Sequence, residues 1–417
     1  MKHAYLPCLL GMAMTFSFGL LAEQTTQTET ELTLAAALAR AAKAHPDLEA
    51  AQRRIEVAQG QRVGAVLRPN PEAELEVEDL GGPDGVVASL YLGQTLELGG
   101  KRQGRIGVAD REALRAASEL RLAQADLRAE VAQAYLAALA AQEEAALATE
   151  ASGLAGEIAR VVREQVAAGK VSPVMSSRAE LAAARSRATA ANAGRLRDAA
   201  FTELAAHWDG KVDFATIAGT LGDLAPLPTA ATVMAAVAAH PAVRVAEEDI
   251  ECRRAALALA RTSGIPDVTV TAGMSHAEAE GETTFSLAAS LPLPVFDRGQ
   301  GEVAVAGAEV AEGVAELRAI KRRLTAQARA ALLRLSAARV RAEQLRDEIL
   351  PAARNTFSAV REGYAAGKLG YLDVLESREA LFEIRAEYLE ALAAFHETRV
   401  ELERLTVGAS MATGTKE

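Results

Sequence analysis

From Gln103 to about Ala168 the chain carries no proline and no cluster of loop-forming residues. Within that run Ala113, Ala117, Leu120, Gln124, Leu127, Val131, Ala134, Ala138 and Ala141 recur at alternating spacings of 4 and 3. Such spacing is the seam of a coiled-coil helix. About 65 residues of it span roughly 100 Å at 1.5 Å per residue. The seam then returns as Val310, Val314, Leu317, Lys321, Leu324, Ala328, Ala331, Leu335 and Ala338, every position displaced by 197. Even the polar member coincides, Gln124 with Lys321.

The repetition reaches beyond the seam. Leu34–Pro71 is echoed by Val233–Pro266, with His45-Pro46 matched by His240-Pro241 at an offset of 195. The corner Ala167-Ala168-Gly169-Lys170 is echoed by Ala365-Ala366-Gly367-Lys368 at an offset of 198. An internal duplication of this kind fixes the architecture before any single residue is weighed. Each copy reads as helix, β-hairpin, long helix, corner and returning helix.

Glu31–Val66 reads as helix broken near Pro46 and stopped by Pro69-Asn70-Pro71. Glu72, Glu74, Glu76 and Glu78 then alternate with Ala73, Leu75 and Val77, a strand with one wet and one apolar side. Gly81–Gly85 supplies the turn and Val86–Leu98 the return strand. The second copy gives Asp267–Ser275 and Thr283–Leu291, so four strands are expected in two hairpins. Pro173–Ala206 and Tyr371–Leu405 are the returning helices.

The expected organisation is a signal segment over 1–22, a first repeat over 23–225 and a second over 226–407. The hairpins fall at about 72–98 and 267–291, the long helical hairpins at about 101–206 and 301–405. Trp208–Thr229 is read as the linker between the copies, and 408–417 as a disordered tail.

Composition narrows the class. Half of the 417 residues are apolar but only 4% are aromatic, which suits long, closely packed, alanine-rich helices. A net charge of −11 argues against nucleic acid as a partner. Lys2 and His3, the apolar Cys8–Leu21 and the small Ala22 make a secretory signal. Cleavage there leaves Cys252 as the only cysteine, so no intrachain disulfide forms. No later run offers 18 apolar residues in a row, so no membrane-spanning helix is expected.

No nucleophile elbow, phosphate loop or HExxH motif is present, and neither an enzyme nor a cofactor is indicated. His45 and His240 sit at matched helix breaks, which points to a structural role. His207, His276 and His396 are scattered, and no Cys or His pair shows ligand spacing, so no metal site is expected. Gly99-Gly100 and Gly299-Gln300-Gly301 lie at strand-to-helix junctions, where glycine permits unusual dihedrals.

Helical hairpins of this length cannot fold into a compact globule. Four strands are too few to close a membrane barrel, since single-chain barrels start at about eight. Half-apolar hairpins in a secreted chain must nonetheless hide their edges. Three copies sharing a twelve-stranded outer-membrane β-barrel above a helical tunnel satisfy both demands. The fold class is therefore mainly α with a small membrane β part, internally duplicated and trimeric, with outer-membrane lipid around the barrel.

The chain resembles the TolC family of outer-membrane exit ducts over its whole mature length, most nearly the CzcC-type subunits of heavy-metal efflux systems. The resemblance is carried by Leu67-Arg68-Pro69-Asn70-Pro71, by Glu97-Leu98-Gly99-Gly100-Lys101-Arg102 and, most specifically, by Leu291-Pro292-Leu293-Pro294-Val295-Phe296-Asp297-Arg298-Gly299-Gln300-Gly301. It implies a homotrimeric channel-tunnel that receives divalent cations such as cobalt, zinc or cadmium from an inner-membrane RND pump and a periplasmic adaptor. The same duct fold serving drug or protein export is one competing reading, and a periplasmic coiled-coil adaptor a more distant one.

The resemblance also assigns roles. Acidic residues after the second corner line the periplasmic mouth in the family, and those positions are Asp373 and Glu376 here. They are three apart and share a helix face. Stacked acidic rings favour cations, whereas a solvated acidic helix start stabilised by the helix dipole is the plainer alternative. The family's lock uses a Tyr and an Arg near the second corner and an Asp in the first copy. Tyr364 keeps the Tyr, but Leu369 and Met175 occupy the other two places, so Arg178 is expected to support the mouth by pairing with Glu376. Gly169, Lys170, Gly367 and Lys368 form the exposed tip expected to dock the adaptor.

Overall fold

The computed structural model describes residues 29–80, 85–278 and 280–407. The expected signal segment and tail lie outside the described residues. In chain order the elements are β1 (Glu29–Leu32), α1 (Leu34–Ala44), α2 (Pro46–Val66), β2 (Glu72–Glu78), β3 (Val87–Leu96), α3 (Lys101–Ala167), α4 (Pro173–Ala205) and β4 (Phe214–Ile217). The second half continues with α5 (Ala230–Ala238), α6 (Pro241–Ala260), β5 (Val268–Ala277), β6 (Glu282–Ser290), α7 (Gln300–Gln344), α8 (Leu350–Ala365) and α9 (Tyr371–Leu405).

At 67 residues, α3 runs for roughly 100 Å. Its seam packs inward: Leu127, Val131 and Ala138 are buried, as are Leu324, Ala328, Ala331 and Leu335 in α7. The polar seam members stay outside. Gln124 and Lys321 are both exposed, and Lys321 Nζ pairs with Glu247 at 3.1 Å. Alanine at so many contacts lets the helix backbones approach closely, with little side-chain entropy to lose.

The second long helix is not uniform. Leu345–Ile349 forms a π turn between α7 and α8. Pro351 follows directly, and a proline ring collides with the carbonyl four residues before it in regular helix. The wider π turn moves that carbonyl aside.

Six strands are present among the described residues, not four. β1 pairs in parallel with β4, Glu29 opposite Phe214 and Leu32 opposite Ile217. The segment read as a plain linker thus carries a strand that closes the middle of the molecule. Around it Leu32, Tyr135, Phe201, Leu204, Phe214 and Ile217 build the largest buried cluster. The Tyr135 hydroxyl donates to the Ala218 carbonyl at 2.6 Å, with the Leu32 carbonyl 3.0 Å away. Cys252 is buried and unpaired, and burial pushes its thiol up to about 11.

The other four strands form one antiparallel sheet in the order β2-β3-β5-β6. Its register sorts most of the side chains by face, the exceptions being Val87 on the polar side and Gln94, His276 and Thr283 on the other. One face carries Glu72, Glu74, Glu76 and Glu78 beside Ser89, Tyr91 and Thr95, then Thr269, Thr271 and Ser275, then Thr284 and Ser286. The opposite face carries Leu75 and Val77, Leu90 and Leu92, Val270 and Met274, Phe285 and Leu287. On the central strands the polar face is the more buried one, with Ser89 5% exposed and its hydroxyl 2.9 Å from that of Ser275. The apolar face is bare, with Phe285 83% and Leu287 79% exposed. That is a soluble protein's pattern turned inside out.

Sheet and helices meet at two glycine junctions. Gly99, Gly100 and Gly299 adopt φ of 70, 76 and 75 degrees, a region glycine enters freely. Gly301 is different, lying within the first turn of α7 without positive φ and with open space about it, so no dihedral demand explains it. Gly264 does have a demand, because a Cβ there would sit 2.5 Å from the Arg298 carbonyl oxygen. The two repeats lock together here, since Asp267 accepts from the Leu98 N–H and pairs with Lys101 Nζ, both at 2.9 Å. Gly299→Ala is expected to lower the melting temperature of the purified protein. The left-handed backbone costs roughly 1–2 kcal/mol, and the new Cβ would collide with Ser263 Oγ. An unchanged melting temperature counts against this role.

Candidate functional site at the two-corner end

Both corners close in the same way. Lys170 N–H donates to the Gln165 carbonyl at 2.9 Å and Gly169 N–H to the Val166 carbonyl at 2.9 Å. Lys368 N–H donates to the Gly363 carbonyl at 2.8 Å and Gly367 N–H to the Tyr364 carbonyl at 2.9 Å. These are paired Schellman caps, which need a left-handed residue after the helix. Gly169 and Gly367 supply it with φ of 70 and 71 degrees. Nothing lies within 4 Å of a Cβ at either position, so the demand is conformational and not spatial. Lys170 and Lys368 project into solvent beside them.

The corners are tied to each other. Tyr364 donates its hydroxyl to Gln165 Oε1 at 2.7 Å, joining the end of α8 to the end of α3. Beneath them Tyr371 is buried among Ala155, Ala159, Val162, Ala179 and Ala183. Burial raises its phenol above the ordinary range. The tip is thus one packed unit drawn from both repeats.

Asp373 and Glu376 are both exposed at the start of α9. Asp373 Oδ2 accepts the Gly370 N–H at 2.8 Å, so that carboxylate also starts its helix. Glu376, one turn on, has no hydrogen bond or ion pair among the described residues. Leu369, at the place of the family's locking Arg, lies over Gly363, where a Cβ would come within 2.7 Å of Leu369 Cδ1.

Arg178 does not pair with Glu376 within the chain. Both are exposed at the tip, and Arg178 instead lines a groove of about 450 Å³ between α3, α4 and α9. The groove holds a residue that spacing alone did not single out, Arg378, which is 5% exposed. Its guanidinium donates to Ser186 Oγ at 3.0 Å, lies 5.9 Å from the Phe382 ring and leaves Nε without a partner. No sequence signal separates this arginine from the many solvated ones on the same helices.

The helices end in a paired-corner tip at one extreme and in an inverted amphipathic sheet with two open edges at the other. A chain so built has the fold of the outer-membrane channel proteins. The family model described as "Outer membrane efflux protein" matches residues 37–210 and again 233–408, once per repeat. The cobalt-zinc-cadmium resistance protein CzcC of Cupriavidus metallidurans is 30% identical over 97% of this chain and 99% of its own. Among solved structures, CusC superposes with a TM-score of 0.75 at 17% identity, covering 94% of this chain and 96% of that one. The Campylobacter jejuni CmeC outer membrane channel superposes with a TM-score of 0.74 at 16% identity, covering 96% and 94%. The chain belongs to the outer membrane efflux protein family, whose members are channels and not enzymes.

Proposed function

We propose that this protein is the outer-membrane exit duct of a tripartite efflux system and that its cargo is divalent heavy-metal cations. The inverted sheet carries the argument for the duct. The outer edges of β2 and β6 have no partner strand among the described residues, and an open edge cannot face lipid. Pairing β6 of one subunit with β2 of the next removes every edge and gives twelve strands in a trimer, an even number typical of outer-membrane barrels. The apolar face then meets lipid and the polar face lines the lumen.

Two features support metal cations as cargo. The relative CzcC is a cobalt-zinc-cadmium resistance protein by name. The lumen face carries the four-glutamate column of β2, and acidic linings favour cations. The duct is passive, with the pump supplying energy and the Lys170 and Lys368 corners meeting the adaptor. Crosslinking of the adaptor through those two lysines tests the docking, and its absence in an assembled complex excludes these corners. The Arg178–Glu376 pair joins neighbouring subunits, and unchanged channel opening in Arg178→Ala excludes it.

The deciding experiment compares cell-associated zinc, cobalt and cadmium after challenge in cells with and without this chain, with a fluorescent drug alongside. The expected result is metal retention in the deletion with drug unaffected. Drug retention with normal metal leaves the duct standing and overturns the cargo.

A further inference from the structure

At the waist of the first repeat the fold assembles a side-chain group that no local spacing announces. His45, Glu130 and His207 each offer a ligand atom, and these atoms lie within 4.8 Å of one another. His45 comes from the α1–α2 break, Glu130 from α3, and His207 from just beyond α4. The His45 Nδ1 accepts the Asp47 N–H at 3.3 Å and has Asp47 Oδ2 3.9 Å away, so a metal at Nε2 moves the ring proton to Nδ1, exchanging the backbone cap for donation to the Asp47 carboxylate. The two imidazoles stack with centroids 6.1 Å apart and planes 22 degrees from parallel. No hydrogen bond or ion pair to another side chain occupies Glu130 or His207 among the described residues.

The duplication supplies an internal control. His240 repeats the break, and its Nδ1 accepts the Ala242 N–H at 3.1 Å in the same capping role. Its Nε2, however, meets the Arg404 carbonyl at 3.1 Å. At the seam offset of 197 the counterpart of Glu130 is Gln327, and at the corner offset of 198 the counterpart of His207 is Leu405. The scaffold therefore stands without the carboxylate and without the second imidazole. Their presence together in the first repeat is not a requirement of packing.

We propose that His45 Nε2, the Glu130 carboxylate and the His207 imidazole bind one divalent transition-metal ion, with water completing the shell. Two imidazoles and a carboxylate suit zinc, cobalt or nickel and not magnesium or calcium. Metal–ligand bonds of about 2.0–2.2 Å require the three donors to draw in by about an ångström, a movement open to the exposed Glu130 side chain. Bound metal joins the α1–α2 break, α3 and the end of α4, and so clamps the waist. The site stands on these side chains alone and does not depend on what the duct exports.

The test titrates the purified full-length protein, free of any histidine tag, with zinc chloride near neutral pH by calorimetry. Cobalt chloride serves as a second probe, read by its visible absorption. Glu130→Gln and His207→Leu install the side chains of the second repeat, so folding is expected to survive. The expected result is one saturable zinc per chain in the native protein, a rise in melting temperature with zinc, and at least tenfold weaker binding in each variant. His276→Ala, on the sheet, should bind as the native protein does. Absence of saturable binding in the native protein, or equal binding in Glu130→Gln and His207→Leu, overturns the proposal. Either outcome is independent of metal retention in cells lacking the chain.

Discussion

Leu287→Arg is expected to remove this protein from the outer membrane. Leu287 lies mid-way along β6 on the apolar face and is 79% exposed in the single chain. In the proposed barrel that face meets lipid, where an arginine near the midplane costs about 2–4 kcal/mol per site. The trimer would carry that cost three times, enough to exhaust the 5–15 kcal/mol by which proteins are ordinarily stable. Ser286→Arg, one position along, places the same charge on the polar face and is expected to assemble. The readouts are outer-membrane fractionation and the yield of heat-stable oligomer. Normal assembly of Leu287→Arg would mean that this face is covered by protein and not by lipid. Loss of both variants would point to general intolerance of β6 and leave the two faces undistinguished in function.

The contrast between the two variants follows from a pattern that is legible in sequence. Alternation of Glu72 through Glu78 with Ala73, Leu75 and Val77 marks two unlike faces whatever the surroundings. Which face is the more buried is not local information. It emerged only when the register placed Ser89 against Ser275 and left Phe285 bare. The long helices were legible because each seam repeats a physical requirement many times, and the duplication repeats it again.

Features made by distant partners were not legible. β1 and β4 are short, and the burial of Phe214 and Ile217 with two exposed residues between them gives no alternation to detect. The π turn answers a single proline, and Gly264 answers a carbonyl 34 residues further on. The His45, Glu130 and His207 group draws on three elements separated by many turns of chain, so a search for ligand spacing passes over it. At the tip the corners could be read because a glycine after a helix has one common meaning. Arg378 could not, since its burial depends on how α4 meets α9.

Replacing Asp373 by Asn and Glu376 by Gln together is expected to reduce the cation preference of the channel more than tenfold at low salt. Both side chains are exposed on the first turns of α9, beside a tip that Tyr364 and Tyr371 hold together. In the proposed trimer they form two stacked rings. A monovalent cation at roughly 4–5 Å from one carboxylate gains about 1 kcal/mol even in a fully aqueous mouth. A ring of three therefore contributes about 2–3 kcal/mol, and twice that for a divalent ion. Screening weakens this beyond about 10 Å at 0.1 M salt, so the effect shrinks as ionic strength rises. The amide variants keep the oxygen that accepts the Gly370 N–H, so the helix start survives and the charge alone is removed. Reversal potentials across a salt gradient, with zinc added to one side, read the result directly. An unchanged reversal potential would leave Asp373 the role of starting α9 and neither carboxylate a part in selecting ions. The selectivity would then have to come from the glutamates of β2, where Glu74→Gln and Glu76→Gln should reproduce the loss.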